Sequence, residues 1–170
     1  EAYHDFVGAN PDYVSFIERP ISDHRVIVAR TFSKIYGLAG MRCGYGVATV
    51  DTARQMRQHR LEDSLNILVM RAALTSLDDA AGHQQAQQRN AADRDEFFRQ
   101  AAARKLKPIP SSTNFVMLST NRPIRSLIDH FRKNNIRIGR PFPPMDTYAR
   151  VSLGKPDEMK EFWRAWDLLS

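Results

Sequence analysis

The alternation of apolar and polar positions divides the chain into short strands and amphipathic helices. Residues 26–29 form a β-branched apolar run between polar neighbours, which is typical of a buried strand. A second strand is predicted over residues 42–50, and Asp51 is expected to cap a basic helix that reaches about residue 60. Between residues 65 and 77 the apolar side chains recur at helical spacing, so a helix with one apolar face is predicted there.

The second half of the chain follows a different pattern. Residues 80–105 are polar and rich in glutamine and alanine, and because these are good helix formers, one long surface helix linking two domains is predicted. A short helix is predicted over residues 12–18, and further helices are expected to begin at Pro123 and Pro156. Three more strands are expected, over residues 115–118, 136–138 and 148–153.

These elements predict an α/β fold with two domains. The first domain covers residues 1–80, and a small α+β domain, which includes the linking helix, covers residues 81–170. A chain of 170 residues is long enough to bury a core in one ordinary domain or in two small ones.

Composition and charge narrow the function classes. The net charge of +6 could indicate binding to nucleic acid, but lysine and arginine are scattered along the chain. Sites for small anions explain part of the positive charge equally well, so no nucleic-acid partner is expected. No apolar run approaches the ~20 residues of a transmembrane helix. The first residues lack the pattern of a signal peptide, so a cytoplasmic protein without a membrane partner is expected. The single cysteine, Cys43, excludes an internal disulfide and gives no metal-binding pattern.

Candidate chemistry is concentrated after the first predicted strand. Thr31, Ser33 and Lys34 lie on the loop at the end of this strand, where open α/β sheets bind their ligands, and Arg42 follows in the same glycine-rich stretch. Hydroxyl and guanidinium groups bind phosphate oxygens, and a lysine kept neutral can attack a carbonyl to form a Schiff base. These residue types suit a phosphate group beside a reactive amine. The alternative is a loop with a solvated lysine and a satisfied arginine.

The same stretch resembles a known family. Ser33 and Lys34, with Arg42 eight residues after the lysine, stand in the context Thr-Phe-Ser-Lys-x-x-Gly-Leu-Ala-Gly-x-Arg-x-Gly-Tyr. This context resembles the cofactor-lysine segment of class I/II (fold type I) aminotransferases that use pyridoxal 5'-phosphate, above all the histidinol-phosphate aminotransferase branch. The resemblance implies that Lys34 forms the Schiff base with the cofactor, and that Thr31, Ser33 and Arg42 hold its phosphate.

Tyr3 extends the resemblance to the beginning of the chain. Family members carry Asp-Glu-Ala-Tyr, in which the Asp pairs with the pyridine nitrogen of the cofactor and the Tyr bonds to its ring oxygen. Here Tyr3 matches, and the Asp would precede residue 1. The chain therefore resembles the C-terminal half of a longer enzyme: the second half of a large domain with a mainly parallel sheet, followed by a small α+β domain. We expect the isolated piece to be incomplete for catalysis.

Two further segments carry the resemblance into the second half of the chain. Arg140 begins an Arg-Pro-Phe turn similar to that of the family, and Arg150 opens the family's strand Arg-Val-Ser-Leu-Gly. By the resemblance, Arg150 binds the substrate α-carboxylate, Arg140 either binds an anion of the substrate side chain or forms a surface pair, and Asn114 lies in an Asn-Phe motif at the mouth of the site. Asn66 could take over one contact of the family's Pro-Tyr-Asn, which this chain lacks.

The function implied by the resemblance is transfer of an amino group between an amino acid and a 2-oxo acid, with histidinol phosphate or a related compound among the candidate substrates. A homodimer is also implied. Three alternatives stay open: a pyridoxal-phosphate-dependent decarboxylase of a phosphorylated amino acid, an aminotransferase-like effector-binding domain of a transcription regulator, and a non-catalytic interaction module.

Overall fold

A computed structural model describes residues 1–18, 23–61 and 64–169. The chain folds as two compact units, Glu1–Gln87 and Gln88–Ser170. Each unit combines helices with a small antiparallel sheet. Within the described ranges, no helix is both long enough and apolar enough to cross a membrane.

The first unit contains a two-stranded sheet. Strand β1 (Val28–Thr31) pairs antiparallel with strand β2 (Gly44–Val47), and Thr31 lies opposite Gly44. This pair differs from the predicted mainly parallel sheet. The connection between the strands contains only the 3₁₀ turn Ala39–Met41, whereas parallel strands need a longer crossover that usually includes an α-helix.

Helix α1 (Val50–Gln58) follows β2 and begins slightly earlier than predicted. Its cap is Thr49, whose hydroxyl oxygen accepts a hydrogen bond from the Thr52 N–H at 3.4 Å. Asp51 therefore lies inside the first turn, where a negative charge stabilises the positive end of the helix dipole. The prediction of Asp51 as the cap is wrong, although the helix itself is confirmed.

Helix α2 (Ile67–Asp78) begins after Asn66. The amide oxygen of Asn66 accepts hydrogen bonds from the N–H groups of Leu68 at 2.9 Å and Val69 at 3.1 Å. These bonds satisfy two of the N–H groups that every helix leaves without a partner at its start. The Asn66 oxygen is thus engaged in capping the helix.

Only the centre of the predicted apolar face of α2 is buried. Val69 and Ala73 belong to a small core cluster with Phe32, whereas Leu68 is 71% exposed and Leu77 is 49% exposed. The apolar face of the helix is longer than the cluster that it covers in this unit. The predicted helix is confirmed, and its apolar face is exposed at both ends.

Helix α3 (Ala80–Ala103) includes the division between the two units and confirms the long predicted helix. The second unit continues with a three-stranded antiparallel sheet in the order β3-β4-β5. The strands are β3 (Lys107–Pro108), β4 (Phe115–Ser119) and β5 (Tyr148–Ser152), and the helices are α4 (Ile124–Lys133) and α5 (Pro156–Asp167). The helices expected at Pro123 and Pro156 are confirmed.

The core of the second unit lies on one face of this sheet. Inward-facing residues alternate along both long strands, and they are Val116, Leu118, Ala149 and Val151. Helices α4 and α5 supply Phe131 and Phe162, whose rings stack with their centroids 4.9 Å apart. Because side chains alternate between the two faces of a strand, Phe115 and Arg150 lie on the opposite face.

Residues 136–138 do not form the predicted strand. Ile136 and Ile138 pack against the core of the second unit, and the Gly139 N–H donates to the Arg150 carbonyl oxygen at 2.8 Å. The alternating apolar residues of this segment therefore reflect burial without a strand ladder.

Residues 12–18 form turns where a short helix is predicted. The Asn10 side chain accepts a hydrogen bond from the Asp12 N–H at 2.9 Å, and the Ser15 hydroxyl accepts one from the Ile17 N–H at 3.1 Å. Such bonds between side chain and backbone compete with the hydrogen bonds of a helix.

Candidate active site

Thr31, Ser33 and Arg42 lie close together in the first unit. The Thr31 Oγ1 and Ser33 Oγ atoms are 2.9 Å apart, and the Ser33 N–H donates to Thr31 Oγ1 at 3.1 Å. The Nη1 atom of Arg42 is 3.5 Å from Ser33 Oγ. Thr31 ends β1 and Arg42 stands just before β2, so the antiparallel pairing brings both ends of the loop to one place.

The backbone at Arg42 adopts a left-handed conformation. Its φ of 54° and ψ of 50° follow directly on the 3₁₀ turn Ala39–Met41. Nη1 of Arg42 donates to the Ala39 carbonyl oxygen at 2.7 Å, so the guanidinium folds back over the loop and stays beside Ser33. A residue other than glycine is uncommon in this region of φ and ψ, which makes Arg42 a candidate functional residue.

Gly44 permits the close approach of β1 and β2 beside Thr31. A Cβ atom at residue 44 would lie 2.6 Å from the Arg30 carbonyl oxygen, which is closer than such atoms can approach without a shift of the backbone. Glycine at this position therefore helps to hold the two ends of the Thr31–Arg42 loop together.

Lys34 lies beside the ring of Tyr3. The Lys34 Nζ atom is 5.0 Å from the ring centroid, within the range of a cation–π contact. Both residues are half-buried, and Tyr3 directly precedes the 3₁₀ turn His4–Phe6. The amine and the phenol that the sequence predicts for the cofactor site are thus neighbours.

A partly buried ion pair lies next to these residues along the chain. Arg30 donates to Glu1 Oε2 from Nη2 at 3.0 Å, and the two side chains are 16% and 12% exposed. Ser15 links them, because its hydroxyl accepts from Arg30 at 2.8 Å and donates to Glu1 at 2.9 Å. We call these three residues the Glu1 network.

The Glu1 network joins the two segments that carry Tyr3 and Thr31. Burial raises the pKa of Glu1, but the hydrogen bonds from the Phe16 N–H, Ser15 and Arg30 outweigh it and hold the pKa below its ordinary value. The sequence does not predict this network. An arginine in an otherwise apolar strand indicates that a partner is needed, but the sequence does not identify Glu1, which lies 29 residues away.

In the second unit, Arg150 contacts two aromatic rings. Its Cζ atom is 3.9 Å from the ring centroid of Phe115 and 5.5 Å from that of Phe142. Arg140 contacts the same Phe142 ring, with 4.1 Å between Cζ and the centroid. The structure thus brings Arg140 and Arg150 together through Phe142.

Asn114 directly precedes β4, next to Phe115. Its carbonyl oxygen accepts a hydrogen bond from the Leu153 N–H at 3.0 Å, which ties the start of β4 to the end of β5. This backbone contact explains the position of Asn114, while the role predicted for its side chain stays a prediction.

Across the described part of the chain, no three His, Cys, Asp or Glu side chains are grouped so that they could hold a metal ion.

The sequence pattern of the family described as "Aminotransferase class I and II" matches residues 1–165. The chain belongs to this family. The resemblance of the Lys34 and Arg42 segment and the mixed helix-and-sheet fold are thereby confirmed.

Individual aminotransferases are similar along nearly the whole chain. A histidinol-phosphate aminotransferase from Moorella thermoacetica is 33% identical over 169 residues, which is 97% of this chain and 43% of that protein. Another from Shouchella clausii is 34% identical over 164 residues, with 95% and 44% covered. The crystal structure of histidinol-phosphate aminotransferase from Sinorhizobium meliloti in complex with pyridoxal-5'-phosphate matches with a TM-score of 0.86 at 31% identity, and the match covers 97% of this chain and 46% of that one. The chain spans less than half the length of these relatives.

The donor groups of the first unit fit the cofactor of such aminotransferases. Thr31, Ser33 and Arg42 offer two hydroxyls and a guanidinium to a phosphate, and charge-assisted hydrogen bonds of this kind are strong. The primary amine of Lys34 and the phenol of Tyr3 lie side by side for an aldehyde and a ring hydroxyl. These roles are inferred from the residue types and the distances between them, and they stay predictions.

Proposed function

We propose that this chain is the C-terminal part of a pyridoxal-5'-phosphate-dependent aminotransferase, which moves an amino group between an amino acid and a 2-oxo acid. Histidinol phosphate, an amine that carries a phosphate ester where an amino acid carries its α-carboxylate, or a related compound is proposed as an alternative amino-group substrate, on the ground of the similar histidinol-phosphate aminotransferases. The observation that carries the proposal is the placement of Lys34 on the same loop as Thr31, Ser33 and Arg42, in a chain that matches class I and II aminotransferases.

Five residues of the first unit would hold the cofactor. In this proposal Thr31, Ser33 and Arg42 bind its phosphate, Tyr3 donates to its ring oxygen, and Lys34 binds it covalently. Pyridoxal phosphate supplies the electron sink that makes the α-proton of the bound substrate acidic. The positively charged Arg42 offsets the charge of the phosphate, and a guanidinium does this with directed pairs of N–H donors.

Lys34 also moves a proton in the proposed reaction. Once the substrate amino group has taken the place of the lysine, the free Nζ atom accepts the α-proton as a general base and returns it as a general acid. The neighbouring Tyr3 ring restricts where this amine can lie, because Nζ is 5.0 Å from the ring centroid. Positioning of the amine is what general acid–base catalysis requires first.

Substrate recognition is assigned to the second unit. Arg150 binds the α-carboxylate through two parallel N–H donors, a geometry that lysine lacks. Arg140 stands on the same Phe142 ring and is proposed to bind a second anionic group of the substrate, and Asn114 is proposed to line the mouth of the site. A surface role for Arg140 would leave substrate affinity unchanged in Arg140→Ala.

The remaining proposals concern the complete protein. We assign residues 1–80 to the cofactor-binding large domain and residues 81–170 to the small domain, and we propose a cytoplasmic homodimer as the working form. The chain alone is proposed to be inactive, because it spans less than half the length of the similar histidinol-phosphate aminotransferases.

Lys34→Ala in the full-length parent protein tests the proposed function. The purified parent should absorb visible light through its bound cofactor, and borohydride followed by peptide mass spectrometry should trap the cofactor on Lys34. Lys34→Ala should lose both the trapped peptide and amino-group transfer, because no other amine is positioned on the loop. Lys133→Ala, which changes an exposed lysine of α4, serves as the matched control and should keep both.

A trapped cofactor on another lysine of Lys34→Ala would contradict the assignment of this residue. Carbon-labelled substrate separates transfer from decarboxylation, because an aminotransferase keeps the carboxyl carbon in its 2-oxo acid product. Release of that carbon as carbon dioxide would contradict the proposed reaction while leaving the cofactor site intact.

A further inference from the structure

The Arg150 side chain is held by its neighbours on the outer face of the second sheet. In the antiparallel pair of β4 and β5, Met117 lies opposite Arg150 and Phe115 lies opposite Ser152. Phe115 and Arg150 are therefore diagonal neighbours on the same face, which is a distance that long and aromatic side chains can bridge. The separation of 3.9 Å between the guanidinium carbon and the Phe115 ring centroid is direct contact.

A second ring reaches Arg150 from the connecting segment before β5. The Gly139 N–H donates to the Arg150 carbonyl oxygen at 2.8 Å. A Cβ atom on Gly139 would lie only 2.8 Å from the Arg150 Cβ and carbonyl oxygen, so only a glycine allows the segment to lie this close to β5. Phe142 follows on this segment, and its ring centroid is 5.5 Å from the Arg150 guanidinium carbon.

We infer that Phe115 and Phe142 are positioning residues that hold the Arg150 guanidinium ready for a carboxylate. An aromatic ring on the face of a guanidinium attracts its charge and does not compete for the N–H donors, which lie in the plane of the group. An arginine side chain otherwise has several rotatable bonds whose freedom is lost when it binds a ligand. Rings that restrict these bonds beforehand reduce that loss and so increase affinity.

The positioning of the Arg150 guanidinium does not depend on the proposed function. Its effect on ligand affinity does, because that effect rests on the proposed binding of an α-carboxylate by Arg150. Loss of the Phe115 ring should therefore weaken ligands that carry an α-carboxylate and spare those that lack one. We expect the Phe115 contact to matter more than the Phe142 contact, because it is the shorter of the two.

The test uses Phe115→Leu, Phe142→Leu and Phe115→Tyr in the full-length parent protein loaded with its cofactor. Leucine keeps an apolar side chain of similar reach, and tyrosine keeps the ring. Phe98→Leu is the matched control, since this ring of α3 contacts Phe97. Circular dichroism establishes that each variant is folded, and the cofactor absorbance establishes that the cofactor site is intact.

The first measurement is the side-chain NMR resonance of Arg150 Nε–H, assigned by its disappearance in Arg150→Lys. A ring at 3.9 Å shifts this proton upfield, so Phe115→Leu should move the resonance downfield, Phe142→Leu should move it less, and Phe115→Tyr and Phe98→Leu should leave it nearly in place. An Arg150 resonance that does not respond to Phe115→Leu overturns the inference.

The second measurement compares the KM of an amino acid with that of the amine left when its carboxyl group is removed. Phe115→Leu should raise the KM of the amino acid about tenfold, with kcat changed less and the amine unaffected. If Arg150→Lys discriminates the acid from the amine but Phe115→Leu changes both ligands equally, or if Phe115→Tyr does not restore the KM, the inference is overturned. If the Arg150 resonance responds as expected but Arg150→Lys treats the acid and the amine alike, the positioning stands and the proposed carboxylate role of Arg150 fails.

Discussion

Replacing Arg30 with methionine removes one partner of the partly buried Glu1 network. The guanidinium donates to Glu1 at 3.0 Å and to Ser15 at 2.8 Å, and the side chains of the ion pair are 16% and 12% exposed. Breaking one side of a fully buried pair costs about 3–5 kcal/mol, because the other charge stays desolvated, whereas an exposed pair contributes about 0–1 kcal/mol. The Glu1 carboxylate keeps two donors, the Ser15 hydroxyl and the Phe16 N–H, each at 2.9 Å. Because the pair is partly buried, we expect Arg30→Met to lower the free energy of unfolding by about 2 kcal/mol, between the values for exposed and buried pairs.

The loss of stability in Arg30→Met should become smaller as the pH falls. The pKa of Glu1 in the folded protein is below its ordinary value, since the donated hydrogen bonds outweigh the burial that raises it. A lowered carboxyl pKa contributes stability that is complete above the unfolded pKa and is lost as the pH falls through the folded pKa. The difference between wild type and Arg30→Met should therefore be full at neutral pH and should shrink as acid protonates Glu1.

Urea unfolding followed by far-ultraviolet circular dichroism measures both effects on the purified protein, at neutral pH and at a series of acidic values. Arg54→Met is the matched control: its guanidinium pairs with Asp51 at 3.3 Å, but the two side chains are 76% and 87% exposed. An exposed pair of this kind contributes about 0–1 kcal/mol. Equal losses in Arg30→Met and Arg54→Met, or a loss in Arg30→Met that acid does not reduce, would refute the reasoning.

Three further variants test other parts of the chain. Gly44→Ala should lower the thermal midpoint by the equivalent of roughly 1–3 kcal/mol, because its Cβ would lie 2.6 Å from the Arg30 carbonyl oxygen. The control is Gly46→Ala, which should cost less because its Cβ would meet only side-chain atoms. An equal fall of the thermal midpoint in both variants would count against the explanation. Phe131→Ala should lower the free energy of unfolding by about 3–5 kcal/mol in urea, since the ring is fully buried, and a loss below about 1 kcal/mol would be inconsistent with its core position. Arg42→Ala in the parent protein should weaken pyridoxal phosphate about ten- to a hundredfold in an absorbance titration with circular dichroism unchanged, and an unchanged Kd would exclude the phosphate role.

Much of the second unit could be predicted from its sequence, because local patterns decide it. Pro123 and Pro156 mark the starts of α4 and α5, a short apolar run marks β4, and alternating apolar positions mark β5. The predictions fail where a local pattern has two causes. The alternation at residues 136–138 arises from burial alone. The pattern at residues 12–18 is overridden by hydrogen bonds that the Asn10 and Ser15 side chains accept from backbone N–H groups.

The candidate site could also be predicted only where its residues are close together in the sequence. The residue types Thr31, Ser33, Lys34 and Arg42 stand within one short stretch, so their proximity could be predicted from the sequence. The contact of Arg30 with Glu1 could not, because it joins positions 29 residues apart through a side-chain network. The rings on Arg150 likewise depend on the register of β4 and β5 and on the close approach of Gly139, neither of which a single sequence specifies.

The left-handed backbone at Arg42 sets stability against the phosphate-binding role that we propose for this residue. With a φ of 54°, residue 42 would be relaxed as glycine, and most other L-residues pay roughly 1–2 kcal/mol for the conformation, asparagine less than most. A library of variants at this position, enriched for resistance to heat alone, would therefore drift towards glycine or asparagine and discard the guanidinium. Enrichment for cofactor retention would restore arginine, so the two selections should separate cleanly at residue 42 and at few other positions of the loop.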